Sequence, residues 1–268
     1  MRSDFELKEH YTIDDLLHIM RILRGEGGCP WDREQTHASI RKNMIEETYE
    51  TVEAIDRQDS GMLREELGDV LLQVVFHTQM EQERGVFNFD DVCDGICQKL
   101  ILRHPHIFGD VVAKTSDQVL KNWDEIKKKE KGQTSAAQTL RSVPAVLPAL
   151  MRAEKVQHRA AKTGFEYPDW NSAAADLNSE LAELSRAVAD EPAQRQAEEM
   201  GDVLFSAVNV ARLLHIDPEE ALTRSTEKFM DRFELVERIA ATRGIDISAS
   251  SLEELNALWA EAKKGTGK

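Results

Sequence analysis

A pattern of four carboxylates occurs twice in this chain and constrains its fold more than any other feature. In "MIEETYETVEAIDRQDSGMLREELGDVLLQVVF" the acids are Glu47, Glu50, Glu66 and Asp69; in "SELAELSRAVADEPAQRQAEEMGDVLFSAVNV" they are Glu180, Glu183, Glu199 and Asp202. Both copies run at offsets 0, 3, 19 and 22 from the first acid, and both end in Gly-Asp-Val-Leu, at Gly68 to Leu71 and at Gly201 to Leu204. The match implies an internal duplication. Acids three apart share one face of a helix. In the first copy Glu50 lies nine residues before Asp59, inside the breaker "RQDSG", while Glu66 and Asp69 lie seven and ten after it. At a rise of about 1.5 Å per residue, an antiparallel αα-hairpin brings the two pairs to similar heights. The second copy turns near Glu191 and Pro192, with Glu183 and Glu199 each eight residues from Glu191.

The flanking segments are helical too. Ile13, Leu16, Leu17, Met20 and Leu23 predict a helix from Thr12 to Arg24 that stops at "GEGGCPWD". Trp31 in that turn is expected to be a core anchor, with a lid over a ligand as the alternative. The helices of the first acid hairpin are expected from about Ser39 to Arg57 and Met62 to Glu83. A further helix carries Lys99 and Arg103 and ends at Pro105, whose neighbours His104 and His106 are expected as caps or surface contacts. Asp217 and Pro218 start a helix bearing Lys228 and Arg232. Each half therefore holds an acid hairpin, then Lys-x-x-x-Arg, then a tryptophan, Trp123 or Trp259. No stretch alternates like a strand. The chain reads as all-α, with two tandem helical-bundle domains at 1–127 and 140–268 joined by a polar linker at 128–139.

A formal charge of −15 over 268 residues argues against a nucleic-acid surface, which needs clustered Lys and Arg. Polyphosphate binding stays open if a divalent cation sits between the two sets of charge. Cys29, Cys93 and Cys97 contain no CxxC pair, so neither a disulfide scaffold nor a thiolate zinc site is indicated. Cys93 and Cys97, four apart, are expected to pack on one helix face. No segment has the ~18 apolar residues of a membrane helix, and the N-terminus lacks a signal peptide's apolar run, so the cytoplasm is the expected location.

The acids point to a metal. Asp69 and Asp202 stand inside runs apolar on most faces, where a buried carboxylate must be protonated, paired or metal-bound. A structural salt bridge is the alternative. Carboxylate-only ligation selects a hard cation, Mg²⁺ or Mn²⁺; a di-iron bundle would need Glu-x-x-His motifs that the hairpins lack. Mg²⁺ commonly bridges to substrate phosphates, and Lys228 with Arg232, one helical turn apart, would engage phosphate oxygens.

These motifs together resemble the MazG family of nucleoside triphosphate pyrophosphohydrolases. The likeness rests on Glu46, Glu47 and Glu50 followed by Glu66 and Asp69, on "GCPWD" at Gly28 to Asp32, on "RHPHIF" at Arg103 to Phe108, and on "LPALMRAEKVQ" at Leu147 to Gln157. It spans about Ile13 to Lys263. The resemblance implies an all-α, Mg²⁺-dependent, usually homodimeric enzyme that cleaves a nucleoside triphosphate to monophosphate and pyrophosphate, generally in its C-terminal repeat. It implies Glu180, Glu183, Glu199 and Asp202 as metal ligands, Lys228 and Arg232 on phosphates, Arg195 as a basic substrate contact and Trp259 near the nucleotide. Ser179 departs from the pattern, standing where the N-terminal repeat keeps Glu46. Related readings are a pyrophosphohydrolase of dUTP-like or phosphoribosyl-ATP-like compounds, or a nucleotide sensor that binds without cleaving.

Overall fold

The computed structural model describes residues 5–130 and 132–265, without the side chains of 128 and 129. The chain divides into two compact units between Lys127 and Lys128, and every regular element among the described residues is helical. The first unit holds α1 (Ile13–Arg24), α2 (Pro30–Glu34), α3 (Arg41–Asp56), α4 (Ser60–Glu83), α5 (Phe89–Arg103), α6 (Pro105–Phe108) and most of α7 (Ser116–Glu130). In the second come α8 (Ala136–Arg141), α9 (Ala149–Ala161), α10 (Trp170–Asp190), α11 (Ala193–Leu213), α12 (Pro218–Arg243), a 3₁₀ turn at Ile247–Ala249 and α13 (Leu252–Gly265). Of the expected linker, 128–130 continue α7 and 136–139 belong to α8, while Lys131 lies outside the described residues.

Capping chemistry sets the boundaries. Thr12 caps α1, its amide and hydroxyl donating to Asp15 Oδ2 at 2.9 and 3.1 Å. Asp59 caps α4 by accepting from the amides of Gly61 and Met62, and Asp217 caps α12 by accepting from those of Glu219 and Glu220. Gly28 lets the chain double back under the end of α1: a Cβ there would collide with the carbonyls of Ile22 and Leu23. Gly244, at φ 66°, closes α12 in the left-handed region that glycine tolerates. His104 is the C-cap of α5, its Nδ1 2.6 Å from the Leu100 carbonyl, whereas His106 Nδ1 is buried without a hydrogen-bond partner.

In the first unit the core joins α1 to the later turns of α4 through Met20, Val75, Phe76 and Met80, with Ile40 from the segment before α3. Burying each such side chain contributes about 1.5–3 kcal/mol. Arg24 reinforces this end, forking onto Glu83 at 2.8 and 2.9 Å and lying over the Phe76 ring. His37 bonds His77 Nδ1 at 2.7 Å and Glu81 at 2.6 Å, tying the segment before α3 to α4. The core of the second unit lies between α12 and α13, around Val236, Ala240, Leu258 and Ala262. Arg212 on α11 forks onto Glu166, both bonds at 2.6 Å.

Two packing expectations are overturned. Trp31 is 58% exposed on α2, not a core anchor. The Arg24 guanidinium instead ties this segment to α1, its Nη1 donating to the carbonyls of Asp32 and Gln35. Cys93 and Cys97 share a face of α5 as spaced, but Cys97 is exposed. The later turns of α5 leave Ile96, Leu100 and Ile101 exposed as well, so nothing among the described residues of the first unit covers that face.

Candidate metal centre

Each acid hairpin forms as its breaker requires. At the α3–α4 turn Gln58 adopts φ 54°, and Asp59 then caps the returning helix. The α10–α11 turn is closed by Pro192, whose carbonyl accepts from the Arg195 amide, and by Gln196 Nε2 on the Glu191 carbonyl. Both hairpins are the tightest helix pairings of their units, so the heights deduced from residue counting are held.

Carboxylate oxygens of Glu47, Glu66 and Asp69 all lie within 4.8 Å of one another, as do those of Glu180, Glu199 and Asp202. Three of the four acids expected in each repeat therefore converge. The fourth faces the group from one turn along. Glu50 pushes the carboxyls of Glu47 and Glu66 upward, behind desolvation and, at Glu47, also behind Asp69. Desolvation and then the charges of Glu183 and Asp202 likewise raise Glu180. The donors of both clusters are all carboxylate oxygen. That donor set fits a hard divalent cation.

The burial is not where the apolar runs placed it. Asp202 is exposed and Asp69 half-buried, whereas Glu199 is the buried acid, 4% exposed. Desolvation of Asp202 therefore cannot support the metal reading. The reason is that the apolar residues beside these aspartates, Leu67 and Leu71 on α4 and Leu204 and Phe205 on α11, are themselves exposed within the single chain.

The surroundings of the two clusters differ. Glu46 pairs with Lys42 at 2.9 Å, while its counterpart Ser179 offers its hydroxyl to Glu183 at 3.4 Å. Arg195 contacts three carboxylates: Glu191 at 3.2 Å, Glu198 at 2.5 Å and the cluster member Glu199. Met62 stands at the matching position of the N-terminal repeat, by the same offset that relates Glu66 to Glu199.

Residue counting missed a brace beside the C-terminal cluster. Asp176, one turn before Glu180, accepts from the Ser206 hydroxyl at 3.0 Å, and Ser206 lies one turn after Asp202. Tyr167, its phenol pushed up by desolvation and by its hydrogen bond to Asp176, joins the same group. The available signal was polar residues one helical turn outside the acids, on the same faces. At the matching N-terminal positions stand Asn43 and Gln73, and Gln73 Oε1 is buried without a partner.

Lys228 and Arg232 sit on α12, one turn apart, and Trp259 on α13 packs against Phe229 with ring centroids 5.1 Å apart. The basic pair and the tryptophan thus gather on the α12–α13 pair, while the acids belong to the α10–α11 hairpin. Lys99 and Arg103 occupy α5 in the first unit.

The comparisons with known proteins agree with this duplicated arrangement. The MazG nucleotide pyrophosphohydrolase domain matches residues 35–108 and again 170–236, taking in both acid hairpins. The chain is 46% identical to a nucleoside triphosphate pyrophosphohydrolase of Escherichia coli (strain K12), over 94% of this chain and 97% of that one. It is 42% identical to the nucleoside triphosphate pyrophosphohydrolase/pyrophosphatase MazG of Thermotoga maritima, over 94% and 96% of the two chains. An uncharacterized Bacillus subtilis protein, YabN, is 47% identical over 92% of this chain and half of its own length.

Proposed function

Because the chain belongs to the MazG nucleotide pyrophosphohydrolase family, we propose that it hydrolyses nucleoside triphosphates to the monophosphate and pyrophosphate with the help of Mg²⁺, or of Mn²⁺ in its place. The observation that carries this reading is the pair of three-carboxylate groups, each within 4.8 Å and built of oxygen donors alone. Glu180, Glu199 and Asp202, with Glu183 beside them, would hold the cation in the C-terminal repeat, and Glu47, Glu66 and Asp69, with Glu50, in the N-terminal one. A divalent ion there supplies charge neutralisation for the phosphates and a lowered pKa for a coordinated water.

The chain's own residues do the rest. Lys228 and Arg232 present cations one turn apart to the phosphate chain, the guanidinium in a bidentate manner, and offset the charge that builds on departing pyrophosphate. Arg195 adds a third cation beside the acids. Trp259 offers an aromatic face for the base. Water adds to a phosphorus of the triphosphate as the bond to the leaving group breaks, so one water is consumed and monophosphate and pyrophosphate are released. The C-terminal repeat is taken as the catalytic one, since Arg195 and the brace of Asp176, Ser206 and Tyr167 lie there. Two copies are proposed to associate through the exposed apolar residues of the hairpins. No helix among the described residues is long and apolar enough to cross a membrane; the proposed setting is the cytoplasmic nucleotide pool.

The test is to incubate the protein with each nucleoside triphosphate and Mg²⁺ and resolve the products. Monophosphate and pyrophosphate in equal amounts are expected. Orthophosphate with diphosphate, or no turnover with any nucleotide, would overturn the proposal.

A further inference from the structure

Arg195 occupies an unusual position for a substrate-binding cation, because its guanidinium is engaged by an acid of the metal group. It lies one turn before Glu199 on α11 and pairs with that carboxylate, the most buried of the C-terminal cluster, while two exposed acids, Glu191 and Glu198, hold its other nitrogens. Arg186, the other arginine near the cluster, reaches Glu183 at 3.7 Å and leaves Glu199 to Arg195. We propose that Arg195 is a metal-displaced latch: it and the divalent cation compete for Glu199, and the arginine that loses this contest is released to the phosphate chain of the substrate.

The physical basis is charge. A carboxylate shielded from water interacts strongly with whichever cation it holds, and its oxygens cannot give full charge to both. A divalent ion drawn in by four acids outcompetes a single guanidinium. Glu191 and Glu198 are exposed, so the pairs left to Arg195 are weak and solvent-screened. Arg195 then keeps only loose partners on a site that has just gained affinity for polyphosphate. Metal loading and anion capture become coupled in the C-terminal repeat alone, since the N-terminal repeat has Met62 at this position.

The latch rests on the metal-centre reading above, and the experiment separates the two. In full-length protein carrying Glu66→Gln and Asp69→Asn, which leaves only the C-terminal cluster intact, Mn²⁺ binding without nucleotide is followed by electron paramagnetic resonance. Arg195→Gln is expected to tighten Mn²⁺ binding about three- to ten-fold, and Arg195→Lys to restore affinity toward the parent value. A merely structural arginine would give the opposite sign, with binding weakened. Unchanged or weaker binding in Arg195→Gln, with Mn²⁺ still bound by the parent, would overturn the latch and spare the metal centre. Absence of Mn²⁺ binding in every protein would overturn both.

Discussion

Ser206 on α11 donates a 3.0 Å hydrogen bond to Asp176 on α10, each residue one helical turn beyond an acid of the C-terminal cluster. The two helices that carry the acids are thereby pinned to each other next to the site. Ser206 is buried and Asp176 half-buried, so removing the hydroxyl leaves Asp176 with one donor fewer on its inner side. Ser206→Ala is expected to cost about 1 kcal/mol of stability, read by chemical denaturation of the second unit, and to weaken Mn²⁺ binding severalfold. An unchanged Mn²⁺ affinity would reduce the brace to a packing contact.

The two clusters make distinct predictions for catalysis. Glu183→Ala or Asp202→Ala should lower turnover by at least about a hundredfold while far-ultraviolet circular dichroism stays that of the parent. Glu50→Ala and Asp69→Ala should leave most of the activity. The reverse outcome would move catalysis to the N-terminal repeat, the one that retains Glu46.

Glu66 is held above the ordinary carboxylate range by desolvation first and then by the charges of Glu50 and Asp69. A group with a raised folded pKa binds more protons in the native state, so its contribution is present at low pH and is lost as pH rises through the folded value. Glu66→Gln removes that loss. Without divalent cation the variant should melt above the parent near about pH 7.5, the gap closing toward about pH 4. Added Mg²⁺ should then raise the parent more than the variant. A variant that melts lower at both pH values would show that Glu66 stabilises the hairpin by itself.

On the second hairpin Leu181, Met200, Leu204 and Phe205 are all exposed, an apolar surface that a stable monomer rarely presents. If two chains meet there, Leu204→Glu places a charge in the contact. Light scattering after gel filtration should give a dimer mass for the parent and a monomer mass for the variant. Two dimer masses would place the contact elsewhere.

Much of the fold was legible because its determinants are local. The Thr12 and Asp59 caps, the breaker after Arg57 and the Asp217-Pro218 start all lie within a turn of the boundaries that they set. The convergence of Glu47, Glu66 and Asp69 was legible for the same reason, since residue counting along two antiparallel helices fixes height. Trp31 and Cys97 are exposed despite their apolar character, which says that a side chain can be buried, not that a neighbour arrives to bury it.

Offsets and helical periodicity are properties of the chain, so the duplication, the all-α class and the two groups of acids are written in the order of the residues. That Glu199 and not Asp202 is the buried acid, that Arg195 holds it, and that Asp176, Ser206 and Tyr167 stand behind it emerges from the packing of the helices. Those outcomes depend on which helix faces meet, and on the direction taken by side chains long enough to choose between several partners.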